Sequence, residues 1–280
     1  MMENIIHDYL RPKKSFPHVW CPGCGDGIVL NAMVRAIHSL GKSKDEVVFV
    51  SGIGCSSRAP AYTDFSSLHG IHGRALPFAT GIKLANPKLT VVVFSGDGDA
   101  LAIGGNHFIH ACRRNIDITV VVINNNIYGM TGGQASPTMP TGAYGATAPY
   151  GNLDRPFDVC KLAAAAGANY VARATAFQFF QLEKCIKEGI EKKGFSVIEA
   201  VTPCPSLYSF FNNTGRGVDM LKKLRDRAVT TQKAATLSPA ELEDKIVTGV
   251  FANENFREYC AGYAELVEKA ERSKKNEESL

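Results

Sequence analysis

From Val47 to Leu182 the chain contains no glutamate, so any side-chain carboxylate in that stretch is an aspartate. No apolar run is long enough for a membrane-spanning helix. No secretory signal opens the chain, whose first residues, Met1–Lys14, are polar and charged. Charge of one sign is scarce as well: 31 basic against 27 acidic residues leave a formal charge of +4, too mild to argue for nucleic acid. There is no internal repeat and no low-complexity block. These absences point to a soluble, cytoplasmic protein. In that compartment its eight cysteines are expected as metal ligands, reactive thiols or core residues rather than disulfides. The remaining composition is ordinary. With 280 residues, 45% hydrophobic and 21% charged, the chain can bury the core of one large or two small domains.

The run from Ser95 to Gln134 organises the rest. Leu89–Phe94 and Ile118–Ile123 are short, apolar and β-branched, and both end at turn-forming residues. They predict buried parallel strands. Ala102–Arg114 between them has helix length, which gives a strand–helix–strand unit with a right-handed crossover. Asp97 comes just after the first strand and Asn125 just after the second, so both fall at the carboxyl edge of the sheet, where open α/β sheets bind ligands. A carboxylate, an amide oxygen and a nearby backbone carbonyl suit Mg²⁺, which completes its shell with phosphates and water. Gly96 and Gly98 are expected to let the backbone come close to a phosphate. A dinucleotide fold would instead need Gly-x-Gly-x-x-Gly, but Leu101 stands where the third glycine belongs.

Along the chain, Met1–Val19 reads as an extended arm, with Pro12 and Pro17 opposing regular structure. Asp26–Leu40 has helical apolar spacing, and Val47–Val50 reads as a strand. A helix through Ala85 follows His69-Gly70-Ile71-His72-Gly73-Arg74. Each of the two histidines is open between catalytic, cofactor-binding and structural roles. The Gly-, Pro- and Thr-rich stretch from Asn126 to Pro156 reads as a long functional loop. Phe157–Ala166 and Phe177–Lys193 read as helices, Tyr170–Arg173 and Phe195–Val201 as strands, and Asn212–Gly217 as a loop. Ser238-Pro239-Ala240-Glu241 carries the signature of a helix start. The tail from Glu268 to Leu280 is charged and expected to fray.

Four cysteines, Cys21, Cys24, Cys55 and Cys204, lie in Gly- or Pro-containing turns; Cys112, Cys160, Cys185 and Cys260 lie in expected helices and read as core or boundary residues. The first four suit either tetrahedral Zn²⁺ or a [4Fe–4S] cluster. Two of them follow strand ends at the expected ligand edge, where an electron carrier has chemical use and a structural zinc has none.

Taken together, Cys21-Pro-Gly-Cys24-Gly, Gly52-Ile-Gly-Cys55-Ser, His72-Gly-Arg-Ala, Gly96-Asp-Gly-Asp99, Asn124 through Gln134, and Thr202-Pro-Cys204-Pro run in a familiar order. The chain resembles the β subunit of 2-oxoacid:ferredoxin oxidoreductases, most closely the 2-oxoglutarate branch, over residues 15–215. The resemblance implies an α/β fold of the thiamine diphosphate-binding type, a mostly parallel sheet with helices on both faces. Residues 1–215 are expected as a cofactor and cluster domain and 216–280 as a C-terminal helical extension that contacts a partner. The resemblance implies Mg²⁺ held by Asp97, Asn125 and the carbonyl of Ile127. Thiamine diphosphate would be lined by Ile53, Gly54, Cys55, Ser56, His72, Gly96, Asp99, Gly129, Met130 and Thr131, and a [4Fe–4S] cluster held by Cys21, Cys24, Cys55 and Cys204. The implied reaction decarboxylates a 2-oxoacid, passes electrons one at a time through the cluster to ferredoxin, and gives the acyl group to coenzyme A. Some relatives carry Lys where this chain has Gly132, so the resemblance leaves the substrate open among 2-oxoglutarate, pyruvate and branched-chain 2-oxoacids.

Thiamine diphosphate enzymes nearly all use a Glu against the aminopyrimidine ring, and the glutamate-free stretch covers almost every residue placed around the cofactor here. The implied partners are therefore an α subunit that supplies that Glu and most of the substrate pocket, ferredoxin, and small γ and δ subunits. The alternatives are a non-redox thiamine diphosphate subunit with structural zinc, and an electron-transfer or scaffold subunit that keeps only the cluster.

Overall fold

A computed structural model describes residues 5–12 and 18–277. Ten strands are present: β1 (Val47–Ser51), β2 (Ser66–His69), β3 (Thr90–Gly96), β4 (Thr119–Asn124), β5 (Ile127–Tyr128), β6 (Gln134–Ala135), β7 (Tyr170–Thr175), β8 (Ser196–Val201), β9 (Ala228–Thr230) and β10 (Ile246–Asn253). Eight of them form one sheet in the order β2-β1-β3-β4-β8-β7-β10-β9, while β5 and β6 form a separate hairpin. Every pairing in the large sheet is parallel except β10 with β7.

The central strands β1, β4 and β8 are buried along their whole length. Their Val and Ile side chains are stiff at χ1 and pack well on a pleated surface. Alternation then sends Phe49, Phe94, Val121 and Ile198 to one face, and Val50, Val93, Val122 and Val197 to the other. Helices Asp26–Ser39 and Phe179–Glu191 cover the first face through Val29, Met33, Leu182 and Ile186. Arg35 Nε joins the two helices by an ion pair with Glu183 Oε2 at 2.8 Å. Helices Ala75–Ala85, Gly105–Arg114 and Val159–Ala165 cover the second face through Leu76, Ala79, Phe108 and Val159. The layers are those expected from the sequence: a mostly parallel sheet between helices.

Several local expectations differ. Ile5–Tyr9 is a 3₁₀ turn rather than extended chain, because Tyr9 is buried against Phe65 and His38; the arm's residues 1–4 and 13–17 lie outside the described residues. The expected helix after β3 splits into a π-helical turn, Gly98–Ile103, and an α-helix from Gly105. The expected loop after β4 contains the β5–β6 hairpin, and Leu207–Asn212 is helical. The 216–280 segment is not simply helical: β9 and β10 extend the main sheet from it. Where fraying was expected, the helix Tyr259–Glu277 continues, with 278–280 outside the described residues.

Candidate active site

The ends of the adjacent strands β1, β3 and β4 form a cleft at the carboxyl edge. Every residue of the expected cofactor set lines it: Ile53 to Ser56 after β1, His72, Gly96, Asp97 and Asp99 after β3, and Asn125, Ile127 and Gly129 to Thr131 after β4. Ile123, Gly98 and Tyr128 line it too. The cleft encloses about 90 Å³.

Asp97 is buried, and its two oxygens differ. Oδ2 accepts hydrogen bonds from Thr138 Oγ1 at 2.5 Å, Ser136 Oγ at 2.8 Å and Asn126 N at 3.0 Å. Among the described residues Oδ1 accepts only from Gly98 N at 2.9 Å, which leaves it the oxygen with spare acceptor capacity. Burial pushes the Asp97 carboxyl up to about 6, against the pull of these donors. Asn125 Oδ1 accepts from Ile127 N at 3.2 Å, which closes the turn that carries the Ile127 carbonyl. A buried carboxylate oxygen, an amide and a carbonyl at one edge are the hard-oxygen donor set that fits Mg²⁺.

Asp99 has a different role in the geometry. Its Oδ1 accepts from Gly73 N at 2.7 Å and Ile53 N at 3.1 Å and meets His72 Nδ1 at 2.5 Å; its Oδ2 accepts from Ser95 Oγ at 2.5 Å. It ties the loops after β1 and β2 to the end of β3. A Cβ on Gly52 would stand 2.1 Å from this carboxylate, so only glycine fits there. A Cβ on Gly98 would strike the Tyr128 ring at 2.3 Å, so glycine there also makes room for Tyr128. Tyr128 Oη donates to Gly98 O at 3.1 Å. His69 is structural, held at Nδ1 by Ser57 O and Ser51 Oγ.

The four turn cysteines gather beside this cleft. Trp20 Nε1 donates to Cys55 O at 2.7 Å, which draws the Cys21–Cys24 turn onto the loop after β1. Gly25 packs on Thr202, where a Cβ would lie 2.5 Å from the Thr202 Cβ, so that turn also meets the chain leading to Cys204. A Cβ on Gly129 would lie 3.6 Å from Cys55 Sγ and 3.7 Å from Cys204 Sγ. Burial and the nearby Asp26 push the Cys55 thiol up to about 11 and the Cys24 thiol well up. All four are free thiols. Four free thiols are a donor set that suits a [4Fe–4S] cluster as it suits zinc.

Sequence reasoning missed Ser136, Thr138, Asn124 and Glu199. Asn124 Nδ2 donates to the buried Glu199 Oε1 at 2.7 Å, and Glu199 Oε2 meets Arg173 Nε at 2.6 Å.

The model of the thiamine pyrophosphate enzyme C-terminal TPP-binding domain matches residues 52–200. The 2-oxoglutarate synthase subunit KorB of Methanothermobacter thermautotrophicus is 51% identical over 266 residues, covering 95% of this chain and 93% of that one. The chain belongs to the KorB family of thiamine diphosphate enzyme subunits. KorB of Methanocaldococcus jannaschii is 52% identical over 93% of this chain and 96% of its own. A solved 2-oxoglutarate:ferredoxin oxidoreductase from Magnetococcus marinus, with 2-oxoglutarate, coenzyme A and succinyl-CoA bound, superposes with a TM-score of 0.83. It is 33% identical over 96% of this chain and 92% of that one. The TPP-binding domain match spans the cleft from Gly52 into β8.

Proposed function

We propose that this chain is the β subunit of a 2-oxoglutarate:ferredoxin oxidoreductase, which converts 2-oxoglutarate and coenzyme A to succinyl-CoA and CO₂ with ferredoxin as electron acceptor, or runs the reverse carboxylation. The observation that carries it is the contact of two sites: Gly129 lines the carboxyl-edge cleft, and Cys55 Sγ and Cys204 Sγ both lie within 4 Å of where its Cβ would be. Asp97 through Oδ1, Asn125 and the Ile127 carbonyl hold Mg²⁺. Gly54 offers open backbone, with φ +122 and nothing within 4 Å of a Cβ. His72, with Nδ1 engaged by Asp99, keeps Nε2 for a ligand. Cys21, Cys24, Cys55 and Cys204 hold a [4Fe–4S] cluster. Thiamine diphosphate supplies the carbon chemistry when bound, and the protein supplies orientation and electrostatics.

Among the described residues no glutamate lines the cleft. Glu199 is engaged by Asn124 and Arg173, Glu183 by Arg35, and Glu188 by Tyr170 Oη at 2.7 Å. An α subunit therefore provides the activating Glu. It also provides the cation for the substrate's distal carboxylate, which Gly132 cannot supply. Residues 216–280 form part of the partner contact, where Tyr263, Leu266 and Val267 stand exposed on the last helix. The test is reconstitution. The isolated β chain neither decarboxylates 2-oxoglutarate nor reduces ferredoxin, and adding the α chain restores both. Robust turnover by β with α shown to be absent overturns this division of labour.

A further inference from the structure

Behind Asp97 lies a continuous chain of buried hydrogen bonds that the reaction as described does not use. Arg173, Glu199 and Val122 sit side by side in register on β7, β8 and β4. Arg173 Nε pairs with Glu199 Oε2 at 2.6 Å, and Glu199 Oε1 accepts from Asn124 Nδ2 at 2.7 Å. On its other side Asn124 Oδ1 accepts from Asn126 N at 3.2 Å and lies 2.9 Å from Thr138 Oγ1, whose one hydrogen it shares with Asp97 Oδ2. Only one orientation of the Asn124 amide serves both neighbours, because the carboxylate needs its NH₂ and the backbone N–H needs its oxygen. Glu199 thereby sets the direction of the Asn124 carbonyl oxygen.

That oxygen touches both halves of the metal site. Asn126 N shares its hydrogen between Asn124 Oδ1 and Asp97 Oδ2, and Asn126 stands at φ +65. The left-handed residue makes the turn that presents Asn125 and Ile127 on either side of it, and asparagine tolerates that conformation better than most residues. Thr138 Oγ1 lies 2.5 Å from Asp97 Oδ2 and only 2.9 Å from Asn124 Oδ1, so it bridges the two. With Ser136 and Asn126 N it saturates Oδ2 and leaves Oδ1 for coordination.

We propose that Glu199, acting through Asn124 and Thr138, is a positioning residue of the Asp97 metal site. It lies two hydrogen bonds from the Asp97 carboxylate's own donor, in the interior of a strand. The inference rests on the Mg²⁺ reading of the cleft. Outer partners of this kind fix the orientation of metal ligands, and their loss costs about tenfold to a hundredfold in metal affinity.

The experiment uses the assembled complex, stripped of Mg²⁺ and thiamine diphosphate by chelation. Calorimetry then follows thiamine diphosphate binding as Mg²⁺ is titrated. Thr138→Val raises the Mg²⁺ half-saturation about tenfold or more, and Thr138→Ser, which keeps the hydroxyl, restores the wild-type value. Glu199→Gln raises it too, and adds nothing further in an Asn124→Ala background, since its effect passes through that amide. A purely structural role would lower the melting temperature and leave the half-saturation where it was. Wild-type half-saturation in Thr138→Val, or a full Glu199→Gln shift that persists without the Asn124 amide, overturns the proposal. If Glu199→Gln does not assemble, the Thr138 pair decides alone. Mg²⁺-independent binding in the wild type would instead remove the metal reading itself.

Discussion

Cys55 Sγ and Cys204 Sγ both lie close to Gly129, 3.6 and 3.7 Å from where its Cβ would be. Both distances are ordinary van der Waals contacts, so a methyl group fits in the gap beside the two thiols. A cluster held by both thiols would compete with that methyl group for the same gap. Gly129→Ala is therefore expected to leave the melting temperature of the cluster-free chain unchanged and to lower the iron retained after anaerobic purification. Equal iron in variant and wild type would show that the cluster does not reach this gap.

The thiols themselves give a sharper contrast. The wild-type complex is expected to carry about four irons for this chain's cluster. Cys55→Ser and Cys204→Ser lose or destabilise it, whereas Cys185→Ser, on the buried face of the helix Phe179–Glu191, spares it. Iron and zinc analysis of the three variants makes the comparison. Full iron retention in Cys204→Ser removes that residue from the ligand set.

Asp97→Ala removes the one carboxylate assigned to Mg²⁺ and should abolish Mg²⁺-dependent thiamine diphosphate binding, as measured by titration of the variant complex. The wild type should show a pH signature. Burial holds the Asp97 carboxyl up to about 6, so below that pH a proton occupies the oxygen that Mg²⁺ needs. Mg²⁺ half-saturation should weaken by about tenfold per pH unit below 6 and level off above it, because one proton is displaced per ion bound. A flat profile from pH 5 to 8 would exclude Asp97 as the group that exchanges a proton for the metal.

In the core, Phe49 is fully buried between Phe65 and Phe94, edge-on to both rings at 6.3 and 5.7 Å between centroids. Phe49→Ala should cost about 3–5 kcal/mol by denaturant unfolding, the range for emptying an aromatic site in a packed core. A loss under about 1 kcal/mol would mean that the two neighbouring rings collapse into the space.

The sequence made the cleft legible because its residues directly follow strands: Asp97 after β3, Asn125 after β4 and Ser56 after β1 are ordered by topology alone. The support behind Asp97 was not legible. Ser136 and Thr138 lie in a Gly- and Pro-rich stretch with no period to read, and only the β5–β6 hairpin turns them back towards β3. Glu199 looked unremarkable in a strand interior, since its partner Arg173 is set by the register of a neighbouring strand that no local pattern reveals. β10 escaped notice because Gly249 at φ +125 and a bulge between Val250 and Ala252 interrupt its alternation.

That irregular strand governs how the chain can be cut. β10 lies along β7, Phe251 stacks on the Arg173 guanidinium at 5.0 Å, and Cys260 reaches the buried layer beneath the second helical face. Ending the polypeptide at residue 215 would strip the outer side of β7 and leave a row of unmatched amides and carbonyls, a template for pairing with other chains. The shortened product should then precipitate rather than persist as a smaller cofactor-binding unit. The boundary suggested by the family motifs thus falls inside a single folding unit.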